Sequence, residues 1–170
     1  MFCSNKFSIR HNTVDAMVIT KEGRVGIGIT PYPWSTSFDN IQIGNKISLW
    51  NASNNGGLSY NQYYNGTNNI YQTNDTANRF QMDADGFHFY QAASGTAGNT
   101  ATFSESMRIT SAGNVGIGTA SPNGNLQFSN AVETRKIVLY EGADNDYEFY
   151  GFGIESSTLI YSTFTTNDDH

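Results

Sequence analysis

A phrase of alternating glycine and apolar residues occurs twice in this chain, and any fold must accommodate both copies. Gly23–Gly28 reads Gly-Arg-Val-Gly-Ile-Gly, and Gly113–Gly118 reads Gly-Asn-Val-Gly-Ile-Gly. The copies lie 90 residues apart, and a proline follows each of them, at Pro31 and Pro122. A phrase repeated in this way is typical of proteins built from successive copies of one structural unit.

The repeat extends beyond the glycine phrase. Met17 aligns with Met107 at the same spacing of 90 residues, and Asn45–Trp50 resembles Arg135–Tyr140. The second copy stops early, so we expect the parent chain to continue beyond it. The sequence therefore predicts a short N-terminal segment (residues 1–16), a first module (17–106) and a second, truncated module (107–170).

The glycine phrase does not have the form of a nucleotide-binding loop. That motif needs a third glycine and a following helix, and both copies instead lead to proline. In a strand, Val and Ile would face one side and the two glycines the other. Glycine on a strand face allows another backbone to approach closely. We therefore predict that Gly26, Gly28, Gly116 and Gly118 are contact points between modules or between chains.

The rest of the pattern favours strands. No window of eleven or more residues keeps apolar residues at helical spacing, whereas short runs of β-branched and aromatic residues are frequent. Leu58–Tyr64 and Asn69–Thr73, joined through Asn65-Gly66, predict a hairpin with a tight turn. Neither module has a long buried run, so each needs neighbours to cover its apolar residues. The predicted fold is all-β, with little or no helix.

Composition excludes several classes of function. The formal net charge is −6 and the pI is about 4.8, whereas nucleic-acid binding needs a basic stripe. Cys3 is the single cysteine, so it can form no disulfide within the chain and no cysteine metal cluster. The longest apolar run, near Ile137–Tyr140, is too short for membrane insertion.

Motifs for catalysis are weak. Asp83–Gly86 has the D-x-D-G form of part of a calcium loop, but no Glu follows at the required distance, which favours a plain turn. His11 and His88 have no nucleophile motif, and His88 is expected to point outward from a strand that carries Phe87 and Phe89. We predict no enzyme activity, no metal and no cofactor. Glycan hydrolysis requires a pair of carboxylates held at a set distance. Such a pair formed between two chains stays open as an alternative.

Aromatic residues cluster around the predicted hairpins. Tyr and Trp beside Asn-rich loops suit stacking on sugars or polar recognition of a cell surface, and they equally suit packing between strands. The candidate contacts with a receptor or glycan are Trp34, Trp50, Tyr60, Tyr63, Tyr64, Tyr147 and Tyr150.

Three segments resemble modules of bacteriophage tail fibre proteins, two of them the shaft modules. Met107–Pro122 has the form Met-Arg-Ile-x-x-x-Gly-Asn-Val-Gly-Ile-Gly-x-x-x-Pro, and Met17–Pro31 departs from it with Arg24 in the Asn position. Arg135–Thr163 is also similar to a module of such fibres. The resemblance implies an elongated, parallel homotrimeric fibre built from short-strand and hairpin modules.

The resemblance also implies a function. It predicts a structural and adhesive segment of a viral tail fibre, extracellular on the virion, that extends toward the host and helps attachment. Its partners would be copies of itself, other tail or fibre proteins, and a glycan or protein of the host surface. Two alternatives remain: a trimeric tailspike with glycan-hydrolase activity, and a cellular surface adhesin or filament built from similar modules.

Overall fold

In a computed structural model of the chain, residues 6–141 and 149–163 are described. They contain sixteen strands and no helix, which confirms the predicted all-β class. The chain divides into two compact units, residues 1–127 and 128–170. No helix that could span a bilayer occurs in the described ranges.

The first unit is built on one sheet of eleven strands, and its edges are β1 and β13. A further pair, β7 (Gln62–Tyr64) and β8 (Asn69–Tyr71), forms a separate antiparallel hairpin. β3 and β4 pair in parallel, whereas β2–β3 and β4–β5 are antiparallel. In order across the sheet, the strands are β1 (Lys6–His11), β2 (Val14–Thr20), β3 (Val25–Ile27), β4 (Asp39–Ile43), β5 (Ile47–Asn51), β6 (Asn55–Tyr60), β9 (Asp75–Asp83), β10 (Gly86–Gly95), β11 (Ser104–Thr110), β12 (Val115–Ile117) and β13 (Leu126–Phe128).

The backbone reproduces the 90-residue repeat. β2 pairs with β3, and β11 with β12, over three residues in corresponding register. In the first turn the Gly23 amide donates to the Thr20 carbonyl at 3.0 Å, and in the second the Gly113 amide donates to Thr110 at 2.8 Å. Gly23 and Gly113 have φ of 82° and 85°, a left-handed conformation that glycine adopts without steric cost.

The predicted N-terminal segment contains a strand with a counterpart in the first module. β1 pairs with β2 as β10 pairs with β11, and a bulge follows Ile9 in β1 and Phe89 in β10. Two residues separate the last paired residues of β1 and β2, His11 and Val14, and twelve separate those of β10 and β11. This ten-residue difference places β1 80 residues before its counterpart, whereas β2 lies 90 residues before β11.

One face of the eleven-stranded sheet is covered by connections of its own chain. Phe38, in the connection between β3 and β4, packs against Trp34 and Trp50 with ring centroids 5.7 and 5.5 Å apart. That connection is joined to the β7–β8 hairpin, because the Ser35 amide donates to the Tyr64 carbonyl at 2.7 Å. A second buried cluster on the first unit consists of Tyr71, Ala77, Ala92 and Ala101, with Phe103 packed against it.

The predicted turns are present, with one correction. Asp83–Gly86 is a plain turn between β9 and β10, and Gly86 has φ of 129°. The Asn65-Gly66 hairpin was expected to close with two central residues of positive φ, but only Gly66 has positive φ. Instead, the Asn65 side-chain oxygen accepts hydrogen bonds from the Thr67 and Asn68 amides, which closes a longer turn.

The second unit contains a three-stranded antiparallel sheet of β14 (Ile137–Glu141), β15 (Phe149–Glu155) and β16 (Thr158–Ser162). The turn between β15 and β16 is the one predicted at Glu155–Ser157, with Ser157 at φ of 64°. Gly153 in β15 is closely packed, because a Cβ there would lie 1.7 Å from the Thr134 carbonyl oxygen.

Candidate functional site

The second face of the eleven-stranded sheet is apolar and is not covered by described residues of the first unit. Ten adjacent strands each place one large apolar residue directly in register with the next. This central row consists, in sheet order, of Phe7, Ile19, Val25, Ile41, Leu49, Leu58, Phe80, Phe89, Met107 and Ile117.

The central row is more exposed than a core would be. Phe7 is 60% exposed, Leu49 54% and Leu58 46%. With strands about 4.8 Å apart, ten strands extend over about 43 Å. A strip about 10 Å wide then exposes about 400 Å² of apolar surface, a size that usually marks a functional contact on a soluble protein.

Side chains along each strand point alternately to the covered and the uncovered face, and polar side chains are buried because they lie on the covered face. In β5, Ser48 and Trp50 face the covered side and Leu49 faces the uncovered side. Gln42 and Ser59 are likewise 0% and 1% exposed on neighbouring strands. The chain thus covers its mixed polar and aromatic face with its own loops and leaves its aliphatic face open.

The repeated glycines have two different structural roles within the chain. A Cβ on Gly26 would lie 2.1 Å from the Ile29 carbonyl oxygen, and one on Gly116 would lie 2.4 Å from that of Thr119. The close backbone approach predicted at these two glycines is therefore made by the turn that follows in the same chain.

Gly28 and Gly118 act through their conformation instead. They have φ of 70° and 68°, and a Cβ on either would meet nothing within 4 Å. The amide of Gly28 donates to the Ala16 carbonyl and that of Gly118 to Ser106, each at 2.9 Å. These bonds fasten the end of the glycine strand to the strand before it.

Two of the aromatic candidates serve packing in this chain. Trp34 and Trp50 are 1% and 5% exposed, so neither presents a ring face to a receptor. They line a small cleft of about 130 Å³ together with Phe38 and Tyr64. For these two tryptophans the structure supports the packing alternative, because loops cover the side of the sheet on which they lie.

The tyrosine candidates are more accessible, although they do not form one site. Tyr63 and Tyr64 are half-buried on β7, and the Tyr63 ring stacks on Tyr32 with centroids 5.2 Å apart. Tyr150, in the second unit, is 40% exposed. Tyr147 lies outside the described residues.

Tyr60 belongs to a polar cluster at the end of strands β5, β6 and β9. Its hydroxyl donates to the Asp75 carboxylate at 2.8 Å, and the Lys46 ammonium donates to the same carboxylate at 2.6 Å. Hydrogen bonds from Lys46, then from Tyr60 and the Thr76 amide, lower the pKa of Asp75 to about 2. The cluster ties three strands together and leaves the ionised form of Asp75 strongly favoured.

His88 lies in a buried charge cluster that the sequence pattern did not predict. It was expected to point outward, but it is 3% exposed, because Phe87 and Phe89 occupy the uncovered face instead. Its ring nitrogens lie 3.0 Å from an Asp83 oxygen and 3.3 Å from a Glu105 oxygen. Each ring nitrogen therefore lies within hydrogen-bonding distance of one carboxylate oxygen.

The carboxylates of this cluster are held in their ionised form. Burial alone would raise the pKa of Asp83, but hydrogen bonds from Gln81 and then His88 lower it below its usual range. Likewise, burial opposes the ionised form of Glu105, yet hydrogen bonds from Arg108 and His88 lower its pKa. Arg108 binds Glu105 through two nitrogens, at 2.6 and 2.7 Å.

The cluster has no arrangement suited to acid–base catalysis on a glycan. His88 stands between the two carboxylates, so a sugar could not enter between them. Among the described residues, no group of three or more His, Cys, Asp or Glu side chains could hold a metal ion. The contacts of His88 with Asp83 and Glu105 join β9, β10 and β11.

No protein-family model matches the chain, and no curated protein matches it.

Proposed function

We propose that this chain is a structural and adhesive segment of a viral tail fibre, extracellular on the virion, in which three parallel copies share a core. The observation that carries the proposal is the central row, an unbroken line of large apolar residues across ten strands on the uncovered face. Copies of one chain supply a matching apolar surface to one another.

The energy available from such an assembly is substantial. Burying about 400 Å² of apolar surface on each chain stabilises the assembly by about 10 kcal/mol per chain, at about 25 cal/mol per Å². Association costs at least about 4 kcal/mol in lost freedom of motion. The free energy gained by burying the strip is thus large enough to hold the copies together.

The sheet also supports a role as a spacer. Its eleven strands succeed one another at about 4.8 Å, and each is hydrogen-bonded to its neighbours, which makes the first unit a stiff element about 48 Å long. When the uncovered face is buried between copies, the opposite face becomes the outside of the fibre. Tyr63 and Tyr64 lie on that side and are the tyrosines best placed to meet a host glycan or protein.

The oligomeric state tests the structural half of the proposal. Light scattering coupled to size exclusion is expected to give about 56 kDa, three times the chain mass of 18.7 kDa. Leu49→Lys, which places a charge in the central row, is expected to give a folded species near the mass of one chain. Asn54→Lys adds the same charge in an exposed turn and should leave the trimer intact. A wild-type chain that stays monomeric at micromolar concentration contradicts the proposal.

Cell binding tests the adhesive half. The fluorescently labelled chain is incubated with a panel of intact bacteria, and binding is counted by flow cytometry. We expect saturable binding to some strains, which Tyr63→Ala combined with Tyr64→Ala reduces without changing the mass of the assembly. A trimer that binds no strain in the panel contradicts adhesion but not the structural role.

A further inference from the structure

The central row has a residue on either side of it on each strand, and these side positions are not equivalent. The first flank lies on one side of the central row; it begins at Ile9 and continues through the residue paired with it on each successive strand. The second flank lies on the other side of the central row and begins at Asp39. The first flank consists of Ile9, Met17, Ile27, Ile43, Ile47, Tyr60, Asn78 and Gln91. The second flank consists of Asp39, Asn51, Gly56, Met82, Phe87, Ile109 and Val115.

Large residues change sides halfway across the sheet. On β4 to β6 the first flank is bulky and ends at Tyr60, whereas the second flank ends at Gly56. On β9 the positions reverse: Asn78 pairs with Tyr60, and Met82 pairs with Gly56. On every strand of the sheet from β4 to β10, one flank residue is therefore large and the opposite flank residue is small or polar.

Two hollows on the uncovered face coincide with the small flank positions. A hollow of about 430 Å³ is lined by Asp39, Asn51, Gly56 and Met82, among others, and lies on the second flank of β4 to β6. A hollow of about 260 Å³ is lined by Tyr60, Asn78, Phe80 and Gln91, among others, and lies on the first flank of β9 and β10. Each has room for a large side chain, which the chain itself does not supply.

We infer that three copies pack in register around an axis parallel to the central row, with the first flank of each copy seated on the second flank of the next. This inference rests on the proposed function, which requires parallel copies. In such an assembly, each strand of one copy lies against the same strand of the next copy. Ile43 and Ile47 then enter the larger hollow of the neighbour, and Met82 and Phe87 enter the smaller one.

The arrangement explains why polar residues are tolerated beside an apolar strip. Asp39, Asn51, Asn78 and Gln91 lie at the outer margin, where the groove between two copies opens to water, while the central rows face one another on the axis. Interlocking of large against small also fixes the register, because sliding one copy by a few strands would set large residues against large ones. A pair of copies with reversed strand order, related by a two-fold axis through β6, would place Ile47 opposite Asn78 instead, and the experiment must separate the two arrangements.

Disulfide trapping separates them. In Ile47→Cys with Asn51→Cys, on a Cys3→Ser background, the two introduced thiols lie four residues apart on one strand, about 13 Å. That distance exceeds the reach of a disulfide, so no bridge can form within the chain. After complete oxidation, we expect covalent trimers on a non-reducing gel, because the thiol at position 47 of each copy faces the thiol at position 51 of the next.

The matched control is Ile47→Cys with Asn78→Cys on the same background. These two positions are separated by β6, about 10 Å, and again cannot bridge within one chain. We expect this variant to remain uncrosslinked under the same oxidation. Covalent dimers in the control, or only dimers or monomers in the first variant, overturn the inference.

Light scattering on the reduced proteins distinguishes failure of the inference from failure of the proposed function. Assembled trimers with the wrong crosslinking pattern contradict the flank arrangement alone. A reduced wild-type chain that is monomeric contradicts the proposed function itself. Circular dichroism of both reduced variants must show the β-rich spectrum of the wild type, since both pairs occupy exposed or half-buried strand positions.

Discussion

Substitution of Gly26 by alanine tests whether the glycine strand is closed by its own chain. The added Cβ would lie 2.1 Å from the Ile29 carbonyl oxygen and 2.7 Å from the Pro31 ring. Both neighbours are backbone or ring atoms that cannot rotate away, so the turn after β3 must shift. We expect a loss of about 3 kcal/mol in the free energy of unfolding, at the upper end of the usual range for overpacking.

Gly28→Ala is the matched comparison, because the same atom is added two residues later for a different physical reason. A Cβ on Gly28 meets nothing within 4 Å, but φ is 70°. The cost is then only that of a left-handed conformation, about 1–2 kcal/mol. The second copy provides a replicate, since Gly116→Ala and Gly118→Ala should show the same order.

Urea unfolding followed by circular dichroism measures both losses. With a denaturant slope of about 2 kcal/mol per molar, Gly26→Ala should lower the midpoint by about 1.5 M and Gly28→Ala by about 0.5–1 M. Because assembly makes stability depend on protein concentration, the measurement belongs in the Leu49→Lys background, where we expect single chains. If Gly26→Ala leaves that monomer unaffected but abolishes assembly of the native chain, the close contact lies between chains and our reasoning is refuted.

Three further outcomes are expected. The pKa of Asp75 is about 2 in the folded chain, against an ordinary value of 3.8, so its stabilising effect is complete above about pH 4 and is lost as the pH falls toward 2. Asp75→Asn should therefore reduce the loss of stability between pH 4 and pH 2. An unchanged pH dependence in that range would contradict the Lys46–Asp75 contact. His88→Leu removes the shared partner of Asp83 and Glu105 and should lower the free energy of unfolding in urea by about 2 kcal/mol. His11→Leu, at an exposed strand end, should lower it little. Equal losses in the two variants would contradict a stabilising role of the His88 cluster. Leu58→Lys should abolish trimers in light scattering as Leu49→Lys does, and a trimer of unchanged mass would show that the central row is not the interface.

The strands and turns of this protein could be predicted from sequence because their signals are local. The alternation in Asp39–Ile43 and Ile47–Asn51 defines two faces, and the repeat places equivalent turns at Gly23 and Gly113. The backbone pairing follows the repeat closely, since β2–β3 and β11–β12 have corresponding registers. Alternation alone, however, does not tell which of the two faces the rest of the chain will cover.

That undetermined choice accounts for the errors at individual residues. Apolar residues were expected inside, so His88, between Phe87 and Phe89, was expected outside. The structure places these three residues the other way round, because the loops of the first unit cover the face that carries Trp50 and Ala92. Trp34, for which the sequence left receptor contact and packing as alternatives, is buried by the same covering. The pairing between distant connections, such as Ser35 with Tyr64, has no local signal in the sequence.

The two faces of the sheet differ in how far the repeat preserves them. On the uncovered face, β1 carries Phe7 where β10 carries Phe87, and each strand continues into an equally apolar partner. The covering connections differ: two residues separate β1 from β2, whereas eight residues separate β10 from β11 and include Ala101 and Phe103 of the buried cluster. In the proposed trimer, the surface that meets its own copy is constrained on every strand of the row, whereas loops on the opposite side need only cover polar strands. Under the proposed function, differences between modules are therefore tolerated on the side that the fibre turns toward its host, where recognition can vary without disturbing the core.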